Sequence, residues 1–267
     1  MEFFITANSI PVHVSDSKTG EIPLLLLHGY LETMYVWDEL VTLLDSRYRV
    51  ISIDLPGHGL TGSYDINSME KVSALLVEIL NKCEVDSAIV AGHSLGGYYA
   101  LNMSRLYPDR VRKVVLLNSN PYADLPERHQ DRLREIEIVK ADRLVHLAMS
   151  SIPKMYNPDN LRRLDDKVQE TIEICETHDP EGIVSTIKAL MAREDVTEYT
   201  KTLKENLYMV FGDKDKFMPL EKAQELIALM PESNSFIIKD TGHNSFIEKP
   251  EEVAEIFKKI ADSSAAL

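Results

Sequence analysis

Ala88-Ile89-Val90-Ala91-Gly92-His93-Ser94-Leu95-Gly96-Gly97-Tyr98-Tyr99 is the stretch that decides how this chain is read. Ala88–Ala91 is a continuous apolar run, the mark of a strand buried on both faces. From Leu95 to about Tyr107 the residues read as helix, stopped by Pro108. Between the two the chain has only a few residues in which to reverse. So sharp a turn strains the serine backbone and leaves no room for side chains at Gly92 and Gly96. The Ser94 hydroxyl is thereby raised above the strand end, at the start of a helix whose dipole favours developing negative charge. The G-x-S-x-G pattern alone is weak, since a random chain of this length contains it about one time in ten. Its surroundings give it weight.

Outward from this turn, further apolar runs occur at Leu24–Leu27, Val50–Ile53, Val114–Leu117, Leu207–Phe211 and Phe236–Ile238. They lack in–out alternation and read as strands of a parallel sheet. Phe3–Thr6 and Pro11–Ser15, around Asn8-Ser9, are expected to form an antiparallel edge hairpin. Amphipathic helices lie between the strands. One carries Val72, Leu75, Leu76, Ile79 and Leu80 on a stripe, with Asn67 and Glu70 as a capping box. The last starts at Pro250, with Glu251 and Glu252 in its first turn and Lys258 and Lys259 in its last, as the helix dipole favours. Strand–helix alternation of this kind predicts an α/β fold with a doubly wound, mostly parallel sheet.

The alternation stops between Pro121 and Val196, where only helical stripes appear: Leu161, Leu164, Val168, Ile172 and Cys175, then Ile183, Val184, Ile187, Leu190 and Met191. The segment is too long for a loop and is expected to be an inserted helical cap. The expected division is a core of residues 1–120 and 197–267 with a cap over 121–196. The cap enters after Val114–Leu117 and so above the carboxyl edge of the sheet, where such folds bind ligands.

A serine nucleophile needs a base, and the base an orienting acid. The strand Leu207–Phe211 runs into Gly212-Asp213-Lys214-Asp215, and Phe236–Ile238 is followed by Gly242-His243. Serine, aspartate and histidine thus fall beyond the carboxyl ends of three strands, in that order. His243 is the candidate base. Asp213 and Asp215 are both candidate acids, and an acid relocated to follow Val114–Leu117 would be Asp124.

With His28-Gly29-Tyr30, Asp54-Leu55-Pro56-Gly57-His58-Gly59, the Ser94 motif, Gly212-x-x-Asp215-x-x-x-Pro219 and Gly242-His243, the chain resembles the α/β-hydrolase superfamily over essentially its whole length. The resemblance implies a triad of Ser94, Asp215 and His243, with Asp215 preferred by its spacing to Pro219. It also implies an oxyanion hole built from the backbone N–H groups of Tyr30 and Leu95. Donors of this kind contribute about 3–4 kcal/mol of transition-state stabilisation. His28 and His58 are expected to brace loops, Asp54 to brace a turn, and Asp240 and Glu248 to be solvated surface.

Within the superfamily, Ser94 stands where dehalogenases and epoxide hydrolases carry aspartate. Tyr98 stands where menaquinone-pathway synthases carry arginine, so no counter-charge for a substrate carboxylate is evident. His93 and Asn244-Ser245-Phe246 replace the asparagine and tryptophan of ring-cleavage C–C hydrolases. A carboxylic ester hydrolase for a small to medium, largely apolar, uncharged substrate is expected. Lactonase, thioesterase or C–C hydrolase chemistry and a slow-turnover ligand receptor are the alternatives. His93, Tyr98, Met149 and Met155 are the candidate pocket residues, although methionines at helical spacing also suit the cap's own core.

The composition fits this reading. The net charge of -14, from 43 acidic and 29 basic residues, disfavours nucleic acid and anionic membranes as partners. A small-molecule ester is the expected partner, with no cofactor and no metal, since no ligand cluster has metal-binding spacing. The first residues lack a signal-peptide pattern and no apolar run is long enough to span a bilayer, so a cytoplasmic location is expected. Cys83 and Cys175 read as small core residues of a reducing compartment.

Overall fold

The computed structural model describes residues 1–63 and 68–264. The described residues form an eight-stranded sheet, its strands being β1 (Glu2–Ala7), β2 (Ile10–Asp16), β3 (Ile22–Leu27), β4 (Tyr48–Ile53), β5 (Ala88–His93), β6 (Val111–Leu117), β7 (Leu207–Gly212) and β8 (Asn234–Ile238), in the order β1-β2-β4-β3-β5-β6-β7-β8. The β1–β2 hairpin joins antiparallel to β4, and the other pairings are parallel. The interior strands β5 and β7 are buried at every residue, which accounts for their unbroken apolar runs. Edge strand β8 starts two residues before the expected Phe236, because half-exposed pairing tolerates the polar Asn234 and Ser235.

The helices are α1 (Asp38–Leu43), α2 (Met69–Lys82), α3 (Leu95–Leu106), α4 (His129–Lys140), α5 (Leu144–Ser151), α6 (Asp165–Ile174), α7 (Pro180–Ala192), α8 (Thr197–Lys201), α9 (Leu220–Leu229), α10 (Ser245–Glu248) and α11 (Pro250–Ser264). In α2 the expected stripe is buried, and the cap is Ser68, whose hydroxyl accepts from the Lys71 amide. Asn67, expected as the cap, lies outside the described residues. α11 continues past its lysines to Ser264, so Lys258 and Lys259 sit in mid-helix and the expected charge at its last turn is not there. Its apolar face holds Val253, Ile256, Phe257 and Ile260 against the sheet strongly enough to carry the helix on.

Between β6 and β7 the described chain is helical, α4 to α8 with short turns. Val168, Ile172 and Cys175 on one stripe and Ile183 and Ile187 on the other share an apolar cluster with Trp37 and Phe246. The segment therefore packs onto the sheet domain through a common core. Both cysteines are free and buried. Among the described residues no helix is long and apolar enough to cross a membrane.

Candidate active site

The turn from β5 to α3 places Ser94 at φ 47° and ψ −109°, a conformation that costs a non-glycine residue about 1–3 kcal/mol. The surroundings enforce it. The Ser94 amide donates to the Leu117 carbonyl at 3.0 Å, and Ser119 Oγ donates to the Ser94 carbonyl at 2.7 Å. A Cβ on Gly92 would run into the backbone of Gly96 and Gly97, and one on Gly96 into the Leu27 carbonyl. Only glycine permits so close an approach.

Beyond β7, Asp215 is buried, and each of its oxygens is held twice. Oδ1 accepts from the amides of Phe217 at 2.7 Å and Met218 at 3.1 Å. Oδ2 accepts from Asn118 Nδ2 at 2.9 Å and from His243 Nδ1 at 2.7 Å. Burial pushes the Asp215 carboxyl up, but His243, Asn118 and the Met218 amide outweigh it and hold it below the usual carboxylate range. With Nδ1 donating to a carboxylate, the free nitrogen of His243 is Nε2, the one available to take a proton. Asp213 instead faces Lys214, 3.8 Å away. Asp124 pairs with Arg193 at 2.8 Å and Arg132 at 3.4 Å.

Sequence reasoning missed three polar residues that hold this arrangement. Asn118, just after β6, binds Asp215 and the Gly242 carbonyl, and is itself fixed by Ser245 Oγ at 2.6 Å. Glu32 is fully buried, and its Oε2 accepts from the Gly29 amide at 2.7 Å and from His93 Nδ1 at 2.8 Å. The other His93 nitrogen lies 3.1 Å from the His243 carbonyl. Glu32 and His93 thus link the loop after β3, the serine turn and the histidine loop. Glu248, expected at the solvated surface, is buried. It accepts from the amides of Gly242 and Asn157 and from Asn160 Nδ2, at 2.6, 3.0 and 2.7 Å. Its acceptor duty toward buried donors, invisible from its sequence position beside Lys249, draws it inward. Burial raises its pKa despite those donors.

The expected bracing roles have concrete partners. His28 Nε2 accepts from the Leu55 amide at 2.8 Å and Nδ1 donates to the Gly29 carbonyl at 2.7 Å. Asp54 holds the Met34 and Leu60 amides at 2.9 and 3.0 Å and His13 at 2.9 Å. His58 lies between His28 and His178 rings, each 5.1 Å from it.

Two adjoining cavities share a wall of Ser94, Tyr98, Arg128, Arg132, Phe217 and His243. The inner one continues to Tyr30, Leu31, Leu95, Ile152, Met155 and Leu190. Of the candidate pocket residues, Tyr98 and Met155 line it. Met149 does not: it lies 59% exposed, on the outer face of α5. Nor does His93, which is fully buried behind His243 because Glu32 and the His243 carbonyl claim both its nitrogens. The expected lack of a cation also fails. Arg128 and Arg132 line both cavities, and the Arg193 guanidinium lies 4.3 Å over the Tyr98 ring. Tyr30 follows β3 and Leu95 opens α3. Neither amide hydrogen-bonds to another group among the described residues.

The model of the α/β hydrolase fold family matches residues 22–250. The chain is 27% identical to a pimeloyl-[acyl-carrier protein] methyl ester esterase of Vibrio vulnificus, over 85% of this chain and 89% of that one. It is 26% identical to the 2-hydroxy-6-oxo-6-(2'-aminophenyl)hexa-2,4-dienoic acid hydrolase of Metapseudomonas resinovorans, over 95% and 88% of the two chains. Among solved structures, a thermophilic esterase from Thermogutta terrifontis superimposes with a TM-score of 0.91 at 25% identity, covering 98% of each chain.

Proposed function

The chain belongs to the α/β-hydrolase fold family, and on that premise we propose that it is a serine hydrolase that cleaves carboxylic esters through an acyl-enzyme. The observation that carries the proposal is the His243–Asp215 hydrogen bond of 2.7 Å beside a strained Ser94 in one shared cavity. The names of the relatives support an ester-cleaving chemistry.

In the proposed reaction Nε2 of His243 takes the hydroxyl proton as Ser94 Oγ attacks the ester carbonyl. Asp215 fixes the imidazole tautomer and stabilises the imidazolium. The free amides of Tyr30 and Leu95 receive the oxyanion, helped by the amino end of α3. His243 returns its proton to the departing alkoxide, and the same base then activates water to release the acid. Residues 121–196 serve as the cap over the core of residues 1–120 and 197–267, supported by the cavity-lining positions of Arg128, Ile152, Met155 and Leu190. Ile152, Met155 and Leu190 suit a small to medium, largely apolar acyl group. The ground for an uncharged substrate, an absent cation, is gone.

The test is a panel of p-nitrophenyl esters with a lactone and a thioester, read against Ser94→Ala. Ester turnover that disappears in the variant is expected. Retained turnover would assign the activity elsewhere, and preference for the lactone or thioester would move the chain to the neighbouring chemistry.

A further inference from the structure

The chain carries a net charge of -14, yet the cavities at Ser94 gather cations. Most of them are already neutralised. Arg132 pairs with Glu135 at 3.1 Å and Asp124 at 3.4 Å, Arg193 with Asp124 at 2.8 Å, and Lys222 with Glu225 at 2.7 Å. Lys216 is exposed to solvent. Arg128 differs from all of these. It closes the 3-10 turn Pro126–Arg128 that leads into α4, is half-buried, and lines both cavities together with Ser94 and His243. Among the described residues its guanidinium has no ion pair, and its Nε is buried without an acceptor.

A buried N–H without a partner is costly, and a guanidinium edge presents two parallel donors that match a carboxylate. A protein whose acidic residues outnumber its basic ones leaves this guanidinium without a carboxylate among the described residues, on the wall where substrate must lie. We infer that Arg128 is the receptor for a carboxylate carried by the substrate, so that the natural ester is a half-ester of a dicarboxylic acid or a similar acidic ester. The inference rests on the ester-hydrolase reading and adds its substrate class. The apolar surface of Ile152, Met155 and Leu190 takes the hydrocarbon part, while Arg128 fixes which end of the molecule presents its carbonyl to Ser94.

The experiment compares monomethyl adipate with methyl hexanoate, neutral and of equal chain length, in the wild type, Arg128→Gln and Arg128→Lys. The half-ester should be the better substrate of the wild type. Arg128→Gln should lose roughly ten- to a hundredfold in kcat/KM on the half-ester, mainly through KM, and under twofold on methyl hexanoate. Arg128→Lys, which keeps the charge without the bidentate fork, should fall between them. Equal losses on both esters, or an undiminished half-ester rate in Arg128→Gln, would overturn the assignment. Binding of monomethyl adipate to Ser94→Ala protein, followed by calorimetry with and without Arg128→Gln, decides the receptor independently of turnover. Weaker binding in the double variant is expected, and unchanged binding would overturn it. If the wild type cleaves neither ester, the ester-hydrolase reading falls while the calorimetry still judges Arg128.

Discussion

Two aspartates two positions apart, Asp213 and Asp215, meet very different surroundings: one faces a lysine, the other closes on His243 and three further donors. Asp215→Asn should lower kcat on the order of 10³–10⁴-fold, because an amide stabilises the wrong imidazole tautomer, while Asp213→Asn should change it little. Steady-state kinetics of the two variants decide this, and equal effects would reassign the acid. The placement of Ser94, Asp215 and His243 beyond strand ends was legible because each follows a strand at a motif whose glycines announce the backbone geometry. Glu32, Asn118 and Glu248 were not. Their partners lie 61, 97 and 91 residues away in sequence, at His93, Asp215 and Asn157, and no local pattern records such a meeting. Met149 was misplaced for the opposite reason, since a methionine near an apolar stripe looks alike whether it faces the cavity or solvent.

At the scale of elements, the strands were readable from their apolar runs wherever both faces are covered, as in β3 and β5. Element ends were less so. β8 recruits polar residues because pairing with β7 suffices at an edge, and α11 outruns its lysines because packing outweighs a terminal charge preference. The helices between β6 and β7 carry the most specific expectation. They contribute Ile152, Met155 and Leu190 to the inner cavity, so kcat/KM should rise with acyl length by about fourfold per methylene until that space is full. Met155→Trp should bring the maximum to a shorter chain without abolishing acetyl ester turnover. An ester series from acetyl to octanoyl measures both, and a flat response in the wild type would remove this segment from substrate selection.

For the whole molecule, the balance of charge is a poor guide to its site, because surface carboxylates set the sum while the cavity collects arginines. Burial also leaves a pH signature. His28, His58 and His178 lie together under the loops around the site, and burial lowers the pKa of all three, that of His178 to about 4. Unfolded histidines take up a proton below about pH 6.5, whereas these resist it. Their contribution is therefore complete above about pH 6.5 and is lost as pH falls from there through the folded-state values. Each neutral buried histidine adds roughly 1.4 kcal/mol per pH unit to that slope. Urea unfolding between pH 8 and 4.5 should show a plateau and then a decline, and constant stability from pH 7 to 5 would contradict it. The claim on which everything else depends is that Ser94 alone is an activated nucleophile. Treating the folded protein with a fluorophosphonate and mapping the adduct by mass spectrometry tests it directly. One adduct, on Ser94, is expected; an adduct elsewhere, or none at all, would overturn the assignment of the nucleophile.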